Sequence, residues 1–599
     1  MREKNSSSVW RWIAVCLLAM AAVPLFWPSG TSSDKAEPAV AEDAADTAWI
    51  HAGEIDIQFR EGTDASVLTA LSQKVGAQID WNGDFSATET EDAHLTVPTG
   101  GDADAILATL RADSHVEAAD FAHVYQEPQD EITKTPDTLL ATTQDNSNRW
   151  KPNDPRYNEQ WNFRMVKAEE AWEVTKGKGV IVAVIDTGVA YKDTAKGKRA
   201  RDFGDTQFVE GYDFVNRDAF PNDDQGHGTH VSGTIAESTN NKEGVAGLAF
   251  EAKIMPLKVL SSTGSGTTRD IAEAIRWAAD HHANVINMSL GGPYPDSVMQ
   301  SACEYAHKKG VIIVCAAGNS GREGVGYPAA YKDCVAVSSV GPSGNLAFYS
   351  SWGKQVAIAA PGGDKQDGGE AGGILQNTVY PDENGKLTDD YFAFQGTSMA
   401  SPHVAAVAAL VASAGVKNPD DIKDILQRSA QKKGPANKYG AGIVDAAAAV
   451  RLAKSVYDDG ISRFWIVVCL FTGCYFIGKM RQKAGERNPF PFWGTAALSF
   501  GLLFPDWLTH FAGLSSHYNL IGHSVLIPGA LLIMGAEKSE KRLLGWMALG
   551  MTMHLGWEFL RGTAPFGAEV DVWQMLPWIG SNVLVGLGIL FSGMTAERE

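Results

Sequence analysis

The chain is poor in cysteine and in positive charge. Six cysteines among 599 residues are too few for the dense disulfide framework of a small secreted domain. Cys16, Cys469 and Cys474 fall in apolar runs and read as buried thiols. Cys303, Cys315 and Cys334 lie mid-chain; one pair would be free to bridge in an oxidising compartment, and the sequence does not choose it. Lysine and arginine number 51 against 71 acidic residues, a formal charge of −20. Binding a phosphate backbone requires basic clusters, so nucleic acid is not an expected partner.

Long apolar runs are also missing from most of the chain, but not from its ends. The start, MREKNSSSVWRWIAVCLLAMAAVPLFW, has a basic head followed by an apolar run, the pattern of a signal peptide or signal anchor over 1–28. Val15 before Cys16 makes a poor lipobox. Either form of the leader exports the segments C-terminal to it. Residues 29–48 are small, acidic and proline-containing, and read as a linker.

From 49 to 126 the pattern turns globular. GEIDIQFREG alternates as a strand, with Ile55, Ile57 and Phe59 on one face. DASVLTALSQKVGA and DADAILATLRAD read as helices, AHLTVPTG and VEAADFAHVYQ as strands. This predicts a small α+β unit. Residues 127–150 lack apolar periodicity and read as an exposed linker. Over 151–454, β-branched runs such as GVIVAVIDTG and GVIIVCAAGN alternate with helical stretches such as TRDIAEAIRWAADHHA. That alternation predicts an α/β domain with a mainly parallel sheet.

Three segments of this domain carry chemistry. VAVIDTGV puts Asp186 at the carboxyl end of a buried strand, GHGTHVSGTIA opens a helix with His227, and GTSMASPHVAAVAAL opens another with Ser398. Parallel sheets gather their ligands at strand carboxyl ends. A serine hydroxyl is a weak nucleophile at neutral pH. An imidazole has to take its proton, and a buried carboxylate has to hold that imidazole's tautomer. The backbone N–H of Ser398, at a helix N-terminus, faces a developing oxyanion, and Asn319 in CAAGNSG supplies a side-chain amide as second donor.

These blocks, in the order Asp–His–Ser, resemble the subtilisin-like (subtilase) serine proteases, from PNDPRYNEQW to KYGAGIVDAAAAV. The resemblance implies a serine endopeptidase with Asp186 as orienting acid, His227 as general base, Ser398 as nucleophile and Asn319 in the oxyanion hole. It implies that Ser289, Leu290 and Gly291 pair with an extended substrate, and that Ala316, Ala317 and Gly318 line the other side of the primary pocket. His230 and His403 correspond to structural positions. No cofactor is implied for catalysis. STNNKEGVAGLA resembles a family loop that often holds structural Ca²⁺, though its only carboxylate is Glu243. The 49–126 unit resembles the family's inhibitory propeptide, which makes the chain a zymogen processed within 127–150; a plain accessory domain is the alternative.

Beyond 460, five apolar runs (464–478, 492–511, 520–536, 543–560 and 576–594) approach the roughly 17–20 residues a membrane helix needs. KMRQKAGERNP and EKSEKRLL are basic, whereas GLSSHYN has no lysine or arginine. Positive loops stay cytoplasmic, so the protease would face outward from a multi-pass membrane domain in the lipid bilayer. Asp506 and His510, His517 and His523, and His554 and Glu558 converge near the outer face. Ionisable groups at that depth suggest function. FPDWLTH and HYNLIGHS weakly resemble a family of bacterial membrane-bound, metal-dependent-hydrolase-like proteins. A Zn²⁺-type site and a hydrated headgroup-level cluster are both open, as is a fusion of protease and membrane hydrolase; a non-catalytic scaffold that only binds peptides is a further alternative, against which Asp186, His227, Ser398 and Asn319 occur together.

Overall fold

The computed structural model of the chain describes residues 49–127 and 149–455, apart from 84–85, 87–89, 195–196 and 383. The expected leader, most of the 127–150 linker and the five apolar runs lie outside the described residues. Among the described residues, no helix is long and apolar enough to cross a membrane.

The N-terminal unit is an antiparallel sheet with two helices. In chain order it runs β1 (Ile50–Phe59), α1 (Ala65–Val75), β2 (Ile79–Trp81), β3 (Asp92–Thr96), α2 (Ala103–Arg111) and β4 (Val116–Gln126). The short β2 was not legible as a separate strand. Asp64 caps α1 by accepting from the N–H of Ser66 and Val67, and Gly76 ends it in the left-handed conformation. The expected face of Ile55, Ile57 and Phe59 is buried, each at 1 % exposure or less, against Leu71 and Leu110 of the two helices.

The larger unit is built on a parallel sheet. Its strands are β5 (Ile181–Asp186), β6 (Gln207–Phe208), β7 (Tyr212–Asp213), β8 (Lys253–Lys258), β10 (Val285–Met288), β11 (Ile312–Ala316), β12 (Cys334–Val340) and β13 (Val356–Pro361). They run in the order β13-β12-β11-β10-β5-β8-β6, with β7 also on β8. In β5, Val182 and Val184 enter one core while Ala183 and Ile185 enter the other. A strand buried on both faces needs apolar residues at every position, which is why it reads as a continuous run.

Helices cover both faces. On one side lie α3 (His227–Ala236) and α6 (Thr397–Ser413); on the other lie α4 (Thr268–Asp280) and α5 (Ser297–Lys308). A further helix, α7 (Pro419–Ser429), packs on α6. Helix α6 is apolar on every side and nearly sealed from water, as its alanine-rich sequence requires of a central helix. Against α3 packs a hairpin of β14 (Ile374–Pro381) and β15 (Leu387–Phe394), which carried no clear sequence signal. Cys303, Cys315 and Cys334 are free and buried in one core.

The two units are joined by β9 (Ser265–Thr267), which belongs to the larger unit but completes the smaller sheet in the order β2-β3-β1-β4-β9. The small sheet also packs on α4 and α5. There His123 Nδ1 lies 2.7 Å from Asp296 Oδ2, a group that also accepts from Thr268 Oγ1 at 2.8 Å. Asp92 faces Arg276 at 4.0 Å, and its burial pushes the carboxyl up to about 8.

Candidate active site

The parallel sheet delivers the three motif residues to its carboxyl edge. Asp186 is the last residue of β5, His227 the first of α3 and Ser398 the second of α6. His227 Nδ1 lies 2.8 Å from Asp186 Oδ1, which also accepts from the N–H of Thr187 at 2.7 Å. Asp186 is fully buried and His227 is 4 % exposed. A hydrogen bond on Nδ1 fixes which ring nitrogen faces outward.

The start of α3 is held from below. Asp223 accepts from the N–H of Gln225, Gly226 and Thr229 and from the Thr229 hydroxyl. Gly226 has φ of 117°, and a Cβ there would stand 2.1 Å from the Val379 carbonyl; only glycine fits. Lys258, buried at the end of β8, donates to the carbonyls of Thr187 (2.7 Å) and Leu260 (2.9 Å) and to Asp224 (2.8 Å). It ties the loop after β5 to its neighbour.

Ser398 Oγ donates to the Ser289 carbonyl at 3.2 Å, and Ser289 Oγ donates back to the Ser398 carbonyl at 2.8 Å. Asn319 Oδ1 accepts from the N–H (2.9 Å) and the hydroxyl (2.7 Å) of Thr397. The acceptor end of the Asn319 amide is thus engaged one residue before Ser398, and the donor end is turned away from Thr397. Gly318 N–H donates to the Thr397 hydroxyl at 3.1 Å, so the 316–319 segment docks on the start of α6.

An acid, an imidazole and a helix-opening serine at one edge of a parallel α/β sheet are the residue types acyl transfer needs; the structure joins the acid to the imidazole, while Ser398 Oγ is turned to the Ser289 carbonyl. Residues 177–442 match the model of the subtilase family. Thermitase of Thermoactinomyces vulgaris is 38 % identical over 306 residues, spanning 50 % of this chain and all of that protein. The chain belongs to the subtilase family. It is a subtilisin-like serine endopeptidase. A thermophilic serine proteinase of Bacillus sp. (strain AK1) is 35 % identical over 394 residues, 65 % of this chain and 85 % of that one. Among solved structures, fervidolysin from Fervidobacterium pennivorans, described as a keratinolytic enzyme related to subtilisin, superposes with a TM-score of 0.54 at 25 % identity, covering 67 % of this chain and 61 % of its own.

The end of the N-terminal unit pairs with backbone beside these site residues. The end of β4 runs antiparallel to β9, with Val124 opposite Thr267, Tyr125 opposite Gly266 and Gln126 opposite Ser265. On its other side Gln126 exchanges both backbone bonds with Gly291, at 3.2 and 3.0 Å. The N–H of Glu127 then reaches the Gly264 carbonyl at 3.0 Å. Tyr125 is 1 % exposed, and a Cβ at Gly292 would stand 3.2 Å from its ring. Leu290, next to this pairing, is fully buried in the core beneath. Glu127 Oε2 lies 3.4 Å from His227 Nδ1, and Glu127 Oε1 accepts from Gln225 Nε2 at 2.5 Å. Burial, with the Asp186 and Asp223 carboxylates nearby, pushes Glu127 up to about 7, against the pull of His227 and Lys258.

Sequence reasoning missed Glu127, Gln225 and Asp223. Glu127 carried no signal, because it begins a stretch without periodicity. Gln225 and Asp223 flank the GHGTH block and were legible only as neighbours of His227. His230 and His403 are buried in structural settings. His230 Nε2 lies against the carbonyls of Ile374 and Phe392 at 3.0 and 3.1 Å, and His403 bridges Asn162 and the Met399 carbonyl, both at 2.8 Å. Burial lowers them to about 3 and about 4, so both are neutral.

Subtilases need no cofactor for catalysis and often bind structural calcium. The 238–249 loop is approached by two carboxylates from outside it. Asp154 accepts from the N–H of Asn240 (2.8 Å) and Asn241 (3.1 Å), and Asp202 from Asn241 Nδ2 (2.7 Å) and the Val245 N–H (2.9 Å). Burial pushes Asp202 up to about 7. These oxygen donors suit a hard cation in kind, and the chain's own N–H groups already engage them.

Proposed function

We propose that this subtilase is an exported zymogen whose Asp186, His227 and Ser398 form the catalytic triad. The observation that carries the reading is the 2.8 Å contact of His227 Nδ1 with Asp186 Oδ1, set at the sheet edge where Ser398 opens α6. His227 takes the Ser398 proton as Oγ attacks the peptide carbonyl, and Asp186 stabilises the imidazolium that forms. The tetrahedral oxyanion is held by the Ser398 N–H and by the Asn319 amide, whose oxygen is occupied by Thr397. The imidazolium then protonates the leaving amine, and water resolves the acyl-enzyme by the same steps in reverse. The substrate strand pairs with Gly291, beside Ser289 and Leu290, and Gly318 lines the pocket for the residue being cut.

The 49–126 unit acts as the inhibitor. Support comes from the way its last strand, Val124–Gln126, occupies the groove between β9 and Gly291. The identity with the Bacillus proteinase also extends over more of the chain than 151–454. Processing in 127–150 would free the groove. A structural calcium would sit at Asp154 and Asp202 and take no part in the reaction. The apolar runs beyond 460 would tether the enzyme to a membrane with the protease on the outer face; the Asp506, His510, His517, His523, His554 and Glu558 cluster would face the same side.

The test is labelling of the full chain by a serine-directed fluorophosphonate. The label is expected to be lost in Ser398→Ala, together with hydrolysis of casein.

A further inference from the structure

The docked tail shows which side chains the groove receives. Tyr125 near the end of β4 and Glu127 just past it are two residues apart, one buried beside Gly292 and the other, held by its N–H on the Gly264 carbonyl, meeting His227. Facing Glu127 stands Gln225, an amide with no rotational choice. Its own N–H donates to Asp223 at 3.0 Å, and its Oε1 accepts from the N–H of His227 at 2.7 Å. With the oxygen engaged by a backbone donor, Nε2 is the end that faces the groove, where it donates to Glu127 Oε1 at 2.5 Å. Nε2 has no lone pair to offer a donor, so it selects an acceptor in the side chain across from it.

We propose that Gln225 is a specificity-determining residue, and that this protease prefers substrates in which an oxygen-ended side chain, glutamine or glutamic acid, follows two residues after an aromatic one. The inference rests on reading the Val124–Glu127 tail as a substrate mimic. Glutamine is the better fit above neutral pH. A carboxylate there is buried and meets the Asp186 and Asp223 carboxylates, against the pull of His227 and Lys258, whereas the amide presents the same acceptor without charge. An apolar side chain of equal length leaves Nε2 facing carbon and forfeits the bond.

The test uses internally quenched peptides containing Tyr-Ala-Xaa, with Xaa glutamine, glutamic acid or methionine. The enzyme is the purified full chain, incubated until its rate on casein is constant. A ratio of kcat/KM values is unchanged by any fraction of enzyme still blocked by its own tail. At pH 8, the glutamine peptide is expected to exceed the methionine peptide about fivefold, the worth of one net hydrogen bond. In Gln225→Met, which slows every peptide because His227 loses a backbone partner, the ratio should fall to within twofold of unity. A wild-type ratio below twofold, or one that survives Gln225→Met, overturns the preference while casein hydrolysis keeps the protease reading intact. Loss of casein hydrolysis and of all peptide cleavage in the wild type would overturn both.

Discussion

Release of the N-terminal unit should depend on one proton at Glu127. In the docked state its carboxyl is buried against His227 and near Asp186 and Asp223, and sits at about 7 rather than its ordinary 4.5. Between 4.5 and 7 the docked form keeps a proton that the undocked form has lost. Docking is therefore strongest below the ordinary carboxyl range and weakens as pH rises through about 7. The difference between 4.5 and about 7 is worth on the order of 3 kcal/mol, or about 300-fold in the docking constant once both forms are fully ionised. Glu127→Gln keeps the bond from Gln225 and removes the titration. The assay is the rate of fluorophosphonate labelling of Ser398 in the full chain from pH 5 to 8, taken as the ratio of wild type to Glu127→Gln, so that the titration of His227 cancels. From pH 5 to 8 the ratio should climb by about 70-fold, since part of the effect is already present at pH 5. A flat ratio would refute the reasoning, and a falling one would reverse its sign.

Asp186→Asn should leave the fold intact and lower kcat by about 10⁴, since His227 loses the partner that fixes its tautomer; steady-state kinetics on a peptide substrate check it. Asn319→Ala should lower kcat by about 10²–10³ with KM little changed, because its amide acts on charge present only in the transition state. Leu410→Ala, at a fully buried position of α6, should cost about 2–5 kcal/mol of stability, read as a fall in the midpoint of thermal unfolding.

The sequence was most informative where one residue meets one physical demand. The uninterrupted apolar run of β5, the glycine before His227 and the alanine- and valine-rich α6 each tie an element to a candidate site residue. Hence Asp186, His227 and Ser398 stand out in the sequence as candidates, and the subtilase resemblance adds Asn319. The small unit is equally readable, because Ile55, Ile57 and Phe59 alternate. What stays hidden in the sequence is what the fold assembles from distant parts. Ser265–Thr267 has no apolar pattern, yet as β9 it joins two units. Asp154 and Asp202 reach the 238–249 loop from far along the chain, so counting carboxylates within that loop underestimates its oxygen donors. Glu127 reads as the start of a linker and is placed against His227 by the pairing of the three residues before it.

The central claim is that Ser398 is a nucleophile activated by His227 and oriented by Asp186. Its most direct measurement is mass-spectrometric location of the fluorophosphonate adduct on the full chain, in wild type and in His227→Ala. The account predicts a single adduct on the peptide containing GTSMASPHVAAVAAL, on Ser398, with labelling slowed by orders of magnitude in His227→Ala. An adduct on another serine, or labelling of Ser398 at an unchanged rate without His227, would contradict it.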